Sequence, residues 1–359
     1  MTPSPAISGP RGLLCAPPEA GGFPPRVVAA LRGAGVAALE ALLHPLPPLP
    51  RLDPDARALL ERISAWTAAA ANGLPPPLSL PEWIELFLAP RLADAVKIHH
   101  GLLDPATAIS LHESKLRETG FKLGVSRERA RQILADAFAS LSSPLPLFAA
   151  RPLFAAALRA LRLAGGVLDA RALSSLADPA WGGSSPVGAF LLLARVRPGS
   201  LFLYRDFFSA FSPAHLERFE NALRDFMLAN PGPRPISDLC RGLPPSAFPP
   251  GSSSPEPLAA MLLRHLHDAF ATLDGRCGLA PRDSAELVRE ILSRIGESPL
   301  RSIVDSFNCL LHPECRRGSG FVRGVLLADP LVRKTSPGRF ALPGGIQTFF
   351  HVPQEPTLP

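Results

Sequence analysis

The run Leu116-Arg-Glu-Thr-Gly-Phe-Lys-Leu-Gly-Val-Ser-Arg-Glu-Arg-Ala-Arg-Gln-Ile133 carries two helix signals separated by a turn signal. Leu116–Leu123 suits a short helix, and Gly124 is a turn residue free to take a positive φ. Ser126 stands where a hydroxyl can accept from a backbone N–H of the next helix. In that second helix Ala130, Ile133, Leu134 and Ala137 recur at spacings of three and four, the periodicity of a buried stripe. Arg127, Glu128, Arg131 and Gln132 are left facing outward, with Arg129 towards the flank. The pattern predicts a helix-turn-helix over 116–137 whose second helix presents polar groups at its N-terminal end. Those groups match base edges: arginine binds guanine through two parallel hydrogen bonds, glutamine suits adenine, and glutamate accepts from cytosine.

The same run resembles region 4 of the sigma-70 family, whose second helix-turn-helix reads a promoter element. Val96-Lys-Ile-His-His-Gly-Leu102 is similar to that family's segment before the helix-turn-helix, so the resemblance spans residues 84–142. It implies that Ser126, Arg127, Glu128, Arg129, Arg131 and Gln132 form the DNA-contacting stretch. Two departures accompany it: a short insertion between Leu103 and Leu116, and Thr119 where the family prefers a larger aliphatic residue. The family opens promoters with an aromatic-rich region, and none precedes residue 84. The resemblance therefore implies DNA reading without autonomous initiation.

Towards the N-terminus, residues 1–22 read as disordered. Residues 26–43 show apolar spacing on both sides of Gly33-Ala34-Gly35, which predicts two helices, and a further helix is expected over Pro54–Trp66. Leu31-Arg-Gly-Ala-Gly-Val-Ala-Ala-Leu-Glu-Ala-Leu-Leu43 resembles the helix-hairpin-helix in the C-terminal domain of the alpha chain of RNA polymerase, giving a module at 23–72. That family's second hairpin brings glycine amides to phosphate. Here the matching stretch is Arg51-Leu-Asp-Pro-Asp-Ala-Arg57, whose aspartates suit a helix dipole but repel phosphate. The module is accordingly read as packing or docking on protein, with DNA contact as the alternative.

Beyond residue 144 the chain repeats itself. Pro235 and Pro299, Gly275 and Gly338, Arg276 and Arg339, and Leu279 and Leu342 sit 63 or 64 residues apart. Each copy reads as three helices followed by a glycine-containing two-stranded turn, a winged-helix order, at 214–281 and 283–345. A degenerate third copy is expected at 150–212, with a Pro198-Gly199 turn before Leu201-Phe-Leu-Tyr204, and a tail at 346–359. Leu331-Val-Arg-Lys-Thr-Ser-Pro-Gly-Arg-Phe-Ala-Leu342 resembles the winged helices of the RNA polymerase delta protein and of HARE-type modules in restriction and chromatin proteins. The expected fold class is thus mainly α: a multi-module chain of helix-hairpin-helix, helix-turn-helix and tandem winged-helix domains.

Composition supports a folded chain with a cationic surface. The 359 residues suit two to four domains, and 43 prolines, clustered as in Pro45-Leu46-Pro47-Pro48 and Pro75-Pro76-Pro77, read as spacers between them. The net charge is +6. Residues 315–339 hold much of it: Arg316, Arg317, Arg323, Arg333, Lys334 and Arg339 stand against a single acid, Asp329. This cluster suits phosphate contact, whereas Asp274 makes the middle copy's wing a structural one. Five cysteines in no framework spacing point to a reducing compartment. With no apolar run of membrane-spanning length and no signal pattern, the expected location is the bacterial cytoplasm.

Other chemistries find little support. Cys309-x2-His312-x2-Cys315 has zinc-type ligands without an obvious fourth. His265 and His267 fall on different faces of a helix, and His99-His100 reads as packing. There is no phosphate-cradling glycine loop, no His-Glu-x-x-His and no nucleophile elbow, so no enzyme, metal, cofactor or small-molecule substrate is expected. The expected activity is sequence-specific binding of duplex DNA, as a transcription regulator or an RNA polymerase-associated factor. Two rivals are a protein-interaction adaptor and the DNA-targeting component of a defence or mobile-element system.

Overall fold

The computed structural model describes residues 13–44, 49, 52–72, 77–103, 115–252, 254–266 and 268–343. Among them the chain is mainly helical, with three small antiparallel sheets of three strands each. No helix among the described residues is long and apolar enough to cross a membrane. The chain forms two compact units, Met1–Ser212 and Pro213–Pro359. The insertion before Leu116, Pro45–Pro48, Pro75, Pro76, His267 and the tail at 346–359 lie outside the described residues.

The first unit is one body where three modules were expected. Its helices are α1 (Pro25–Gly33), α2 (Pro54–Ala71), α3 (Leu80–Phe87), α4 (Pro90–His99), α5 (Lys115–Lys122), α6 (Arg127–Leu141), α7 (Pro144–Ala149) and α8 (Arg151–Leu163). After them come β1 (Val167–Asp169), α9 (Ala170–Ser174), α10 (Pro186–Val196), β2 (Phe202–Tyr204) and β3 (Phe207–Ser209). A single apolar core runs through all of them, from Leu13 and Leu31 through Trp83 and Leu134 to Phe190 and Phe208. Many of the prolines begin helices rather than separate modules: Pro25, Pro54, Pro81, Pro90, Pro144, Pro152 and Pro186 each occupy a first-turn position. There the missing N–H removes no hydrogen bond and the ring presets φ.

Two local expectations are corrected. Residues 13–22 are folded: Leu13, Ala16 and Ala20 are buried, and the Ala16 carbonyl accepts from Leu39 N at 2.8 Å. The second helix expected after Gly35 is a 3-10 turn, Leu39–Leu43, whereas the helix beginning at Pro54 runs on to Ala71. In 150–212 the Pro198-Gly199 turn precedes β2 as expected, and the hairpin of β2 and β3 turns at Arg205-Asp206, with Arg205 at φ 50.

The second unit repeats the order seen at the end of the first. It comprises α11 (Pro213–Ala229), β4 (Arg234–Pro235), α12 (Ile236–Gly242), α13 (Pro255–His265), β5 (Ala269–Ala271) and β6 (Arg276–Leu279). A second round follows: α14 (Arg282–Ile295), β7 (Ser298–Pro299), α15 (Leu300–Leu310), α16 (Ser319–Ala328), β8 (Arg333–Ser336) and β9 (Arg339–Ala341). In all three copies the short strand after the first helix pairs with the last strand, giving the orders β1-β3-β2, β4-β6-β5 and β7-β9-β8. The sequence offset is also the sheet register. Pro235 lies opposite Arg276 and Pro299 opposite Arg339, while Gly275 and Gly338 take φ 82 and φ 76 in the intervening turns.

The two rounds interlock. Leu273 N donates to the Leu310 carbonyl at 2.8 Å and His312 N to that of Ala271 at 2.9 Å, so the chain leaving α15 caps the edge of β5. This contact blocks an edge strand and buries the middle hairpin. Asp283, at the head of α14, accepts from Gly232 N at 3.1 Å and Leu279 N at 2.8 Å, fastening the second round to the first.

Candidate nucleic-acid interface

The geometry of α5, the turn and α6 follows from four residues. Gly124 adopts φ 65 between the helices, a left-handed conformation that a side chain disfavours. Val125 N donates to the Gly120 carbonyl at 2.9 Å, closing the turn. Gly120 has no room for a side chain, because an added Cβ would stand 2.9 Å from the Val125 carbonyl oxygen and 3.3 Å from that of Ser126. Ser126 Oγ accepts from Arg129 N at 3.2 Å and caps α6. Gly120→Ala should therefore force the two helices apart and cost about 1–3 kcal/mol, the usual range for overpacking. A thermal melt followed by tryptophan fluorescence checks this, and an unchanged midpoint would contradict it.

The opposite face of α6 is anchored. Ala130, Ile133, Leu134, Ala137 and Leu141 are buried. At the edge of that buried face the half-buried Phe138 meets His99 and His100 with ring centroids 6.4 and 5.7 Å away, so the histidine pair packs against the helix. Thr119 fits where a larger residue was expected because His99 Nδ1 lies 3.3 Å from its hydroxyl. The anchoring also involves the last copy in this unit. Gly188 of α10 sits so close to the His100 carbonyl that a Cβ would be 2.2 Å from it. Pro186–Ala189, Phe190, Leu192, Leu193 and Val196 of α10 are all buried. Helix α10 is thus largely enclosed, and it serves as a platform for α6.

On the exposed face, Arg127, Glu128, Arg129, Arg131 and Gln132 all reach solvent. Arg131 Nη2 and Nε donate to the two oxygens of Glu128 at 2.6 and 2.9 Å. That hydrogen bonding holds the Glu128 carboxyl below its ordinary range. Arg129 Nη1 donates to Gln132 Oε1 at 3.1 Å. Arg127 forms no hydrogen bond or ion pair with a described residue. Exposed pairs of this kind contribute little to stability, so they open at little cost. Phe121, on α5 beside the turn, is 85% exposed, and the sequence pattern gave no warning of it.

The second cationic surface lies in the last copy. Arg316, Arg323, Arg333 and Lys334 are exposed and pair with no described residue. Asp329, the one acid in this stretch, is turned inward: Arg289 Nε lies 2.9 Å from its Oδ2, an ion pair at too poor an angle for a hydrogen bond. Its other oxygen accepts from Leu331 N at 2.9 Å. The surface is therefore more positive than the residue count implies. Two expected members differ. Arg339 donates to Glu297 Oε1 at 3.1 Å, which tempers its charge. Arg317 is corrected from interface to scaffold: it is half-buried, donates through Nη2 to the Ala269 carbonyl at 3.0 Å, and lies over Phe321. In the middle copy, Arg276 is held by Asp274 and Glu290, leaving that hairpin no free cation at this position.

Elsewhere, Cys315 is buried with its Sγ accepting from Ala271 N at 3.4 Å, and burial pushes the Cys277 thiol up to about 12. Thiols held protonated by an apolar setting are poor nucleophiles. Among the described residues no group of three histidine, cysteine or acidic side chains is placed to hold a metal ion. Compared with known proteins, the chain matches no family model, no curated protein and no solved structure.

Proposed function

We propose that the protein is a sequence-specific binder of duplex DNA. In this reading α5 and α6 form a sigma region 4-like helix-turn-helix, and α6 enters the major groove by its N-terminal half. The observation that carries it is a capped, rigidly backed helix whose outward residues, Arg127, Glu128, Arg129, Arg131 and Gln132, have base-reading chemistry. The two rounds of the second unit are winged helices in this proposal. The hairpin of β8 and β9, with Arg333 and Lys334, and the nearby Arg316 and Arg323 supply sequence-independent phosphate contacts. Two modest binding surfaces on one chain reinforce each other through effective concentration. A role as a transcription regulator or RNA polymerase-associated factor in the bacterial cytoplasm fits the resemblances to polymerase modules.

The test is duplex selection from a random pool with the intact chain, followed by binding at several salt concentrations. The wild type should enrich a defined sequence and lose affinity steeply as salt rises. Arg127→Ala/Arg131→Ala should lower affinity for the selected site by about tenfold or more and flatten the preference. No measurable DNA affinity at low salt would sink the reading. One observation favours a protein partner in that event: Phe121 stands exposed beside the turn, where a partner could cover it. Salt-insensitive capture of an RNA polymerase component would then support the adaptor reading.

A further inference from the structure

Arg195 closes the C-terminal end of α10, is exposed, and forms no ion pair or hydrogen bond with any described residue. Its guanidinium is nevertheless placed. Cζ lies 5.6 Å from the ring centroid of Phe138, and Phe138 belongs to α6. A guanidinium stacked on a ring keeps its N–H edge free, loses little further freedom on binding, and presents a planar fork suited to phosphate. An arginine intended only to balance charge would have a carboxylate beside it, and here no described acid pairs with it.

The position of Phe138 gives that fork a direction. Arg127, Arg131 and Phe138 stand at i, i+4 and i+11 of α6, so they lie along one stripe of the helix. Seven residues separate Arg131 from Phe138, about 10 Å of helix axis. Arg195 therefore prolongs the Arg127–Arg131 row past the end of the base-reading segment. Backbone charges follow one another every 3.4 Å or so along a strand, so the next cation on this row falls about three nucleotides further on. The burial of α10 acquires a purpose in this arrangement: the enclosed helix delivers a cation to the flank of its neighbour.

We infer that Arg195 is a phosphate-contacting residue that positions α6 on duplex DNA, an inference that rests on the DNA-binding reading of α6. The experiment is binding of the intact chain to a labelled random-sequence duplex across salt concentrations, because a phosphate contact is indifferent to sequence. Arg195→Gln should make the slope of log affinity against log salt shallower by about 0.9 and weaken binding about eightfold near 0.1 M salt, one counterion's worth. Arg195→Lys keeps the charge and should keep the slope. If Arg195→Gln leaves slope and affinity unchanged while Arg127→Ala/Arg131→Ala lowers both, the inference is overturned and the reading of α6 stands. If the lysine and glutamine variants fail alike, Arg195 acts by packing on Phe138 and the inference is again overturned. Absence of binding by the wild type at low salt removes both.

Discussion

Phe190→Ala should lower the stability of the first unit by about 3–5 kcal/mol, the range for removing a buried phenylalanine side chain. Phe190 is fully buried on α10, and its ring meets Trp181 at 5.7 Å and Phe208 at 5.4 Å. It ties α10 to the turn before it and to β3. The same core continues without a break to Trp83 of α3 and Trp66 of α2. The chain's three tryptophans, Trp66, Trp83 and Trp181, all lie in this unit, so fluorescence reports on it alone. One transition should be seen, displaced downward by about 10 °C for a unit of this size. Affinity for DNA should fall with it as that transition nears the assay temperature, although residue 190 touches no proposed contact. Two separate fluorescence transitions, with only the Trp181-dependent one displaced, would show that the helices of 23–144 fold without the segment that follows.

That single core is what the sequence conceals. The helices α5 and α6 and the turn between them were legible because each signal is local: Gly124 for the turn, Ser126 for the cap, and a run of apolar residues at helical spacing. The repeat of the second unit was legible for a related reason. Pro235 and Pro299 end strands that pair with Arg276 and Arg339, so a constant spacing within the chain mirrors a hydrogen-bonded register. Which surface one module offers another is different information. It depends on residues such as Gly188, whose close approach to the His100 carbonyl joins elements far apart in sequence and leaves no periodic trace. Proline carries two meanings for a physical reason too. A ring that fixes φ and lacks an N–H serves a linker and a helix's first turn equally well, and only the packing that follows distinguishes them. Among the site residues, exposure followed from periodicity, but pairing did not. Arg317 and Arg323 look alike in sequence, yet one holds the Ala269 carbonyl and the other faces solvent.

Asp283→Ala should destabilise the second unit by about 2–4 kcal/mol, the cost of leaving two inward-facing backbone donors without their acceptor. The carboxylate is 1% exposed. It accepts from the backbone of Gly232 and of Leu279 and from Arg282 Nε at 2.8 Å. Arg282 itself reaches the carbonyls of Met227 and Leu228. Alanine would leave two backbone donors without an acceptor and an arginine without its counter-charge, and each buried orphan is penalised by its lost solvation. Asparagine keeps the shape and one acceptor, so Asp283→Asn should recover part of the loss. The damage should be shared by both rounds of the repeat, because the group belongs to α14 while its oxygens hold the strand end and loop of the round before. Hydrogen exchange measures this directly: protection should drop together in β6 and in α14. Loss confined to α14, with the hairpin of β5 and β6 still protected, would mean that the rounds are held together by the Leu273–Leu310 and His312–Ala271 hydrogen bonds instead. On the expected outcome the cationic hairpin of β8 and β9 is presented from a body whose rigidity is decided by a carboxylate far from it in sequence. Variants at Asp283 should therefore weaken DNA binding only to the extent that they unfold that body.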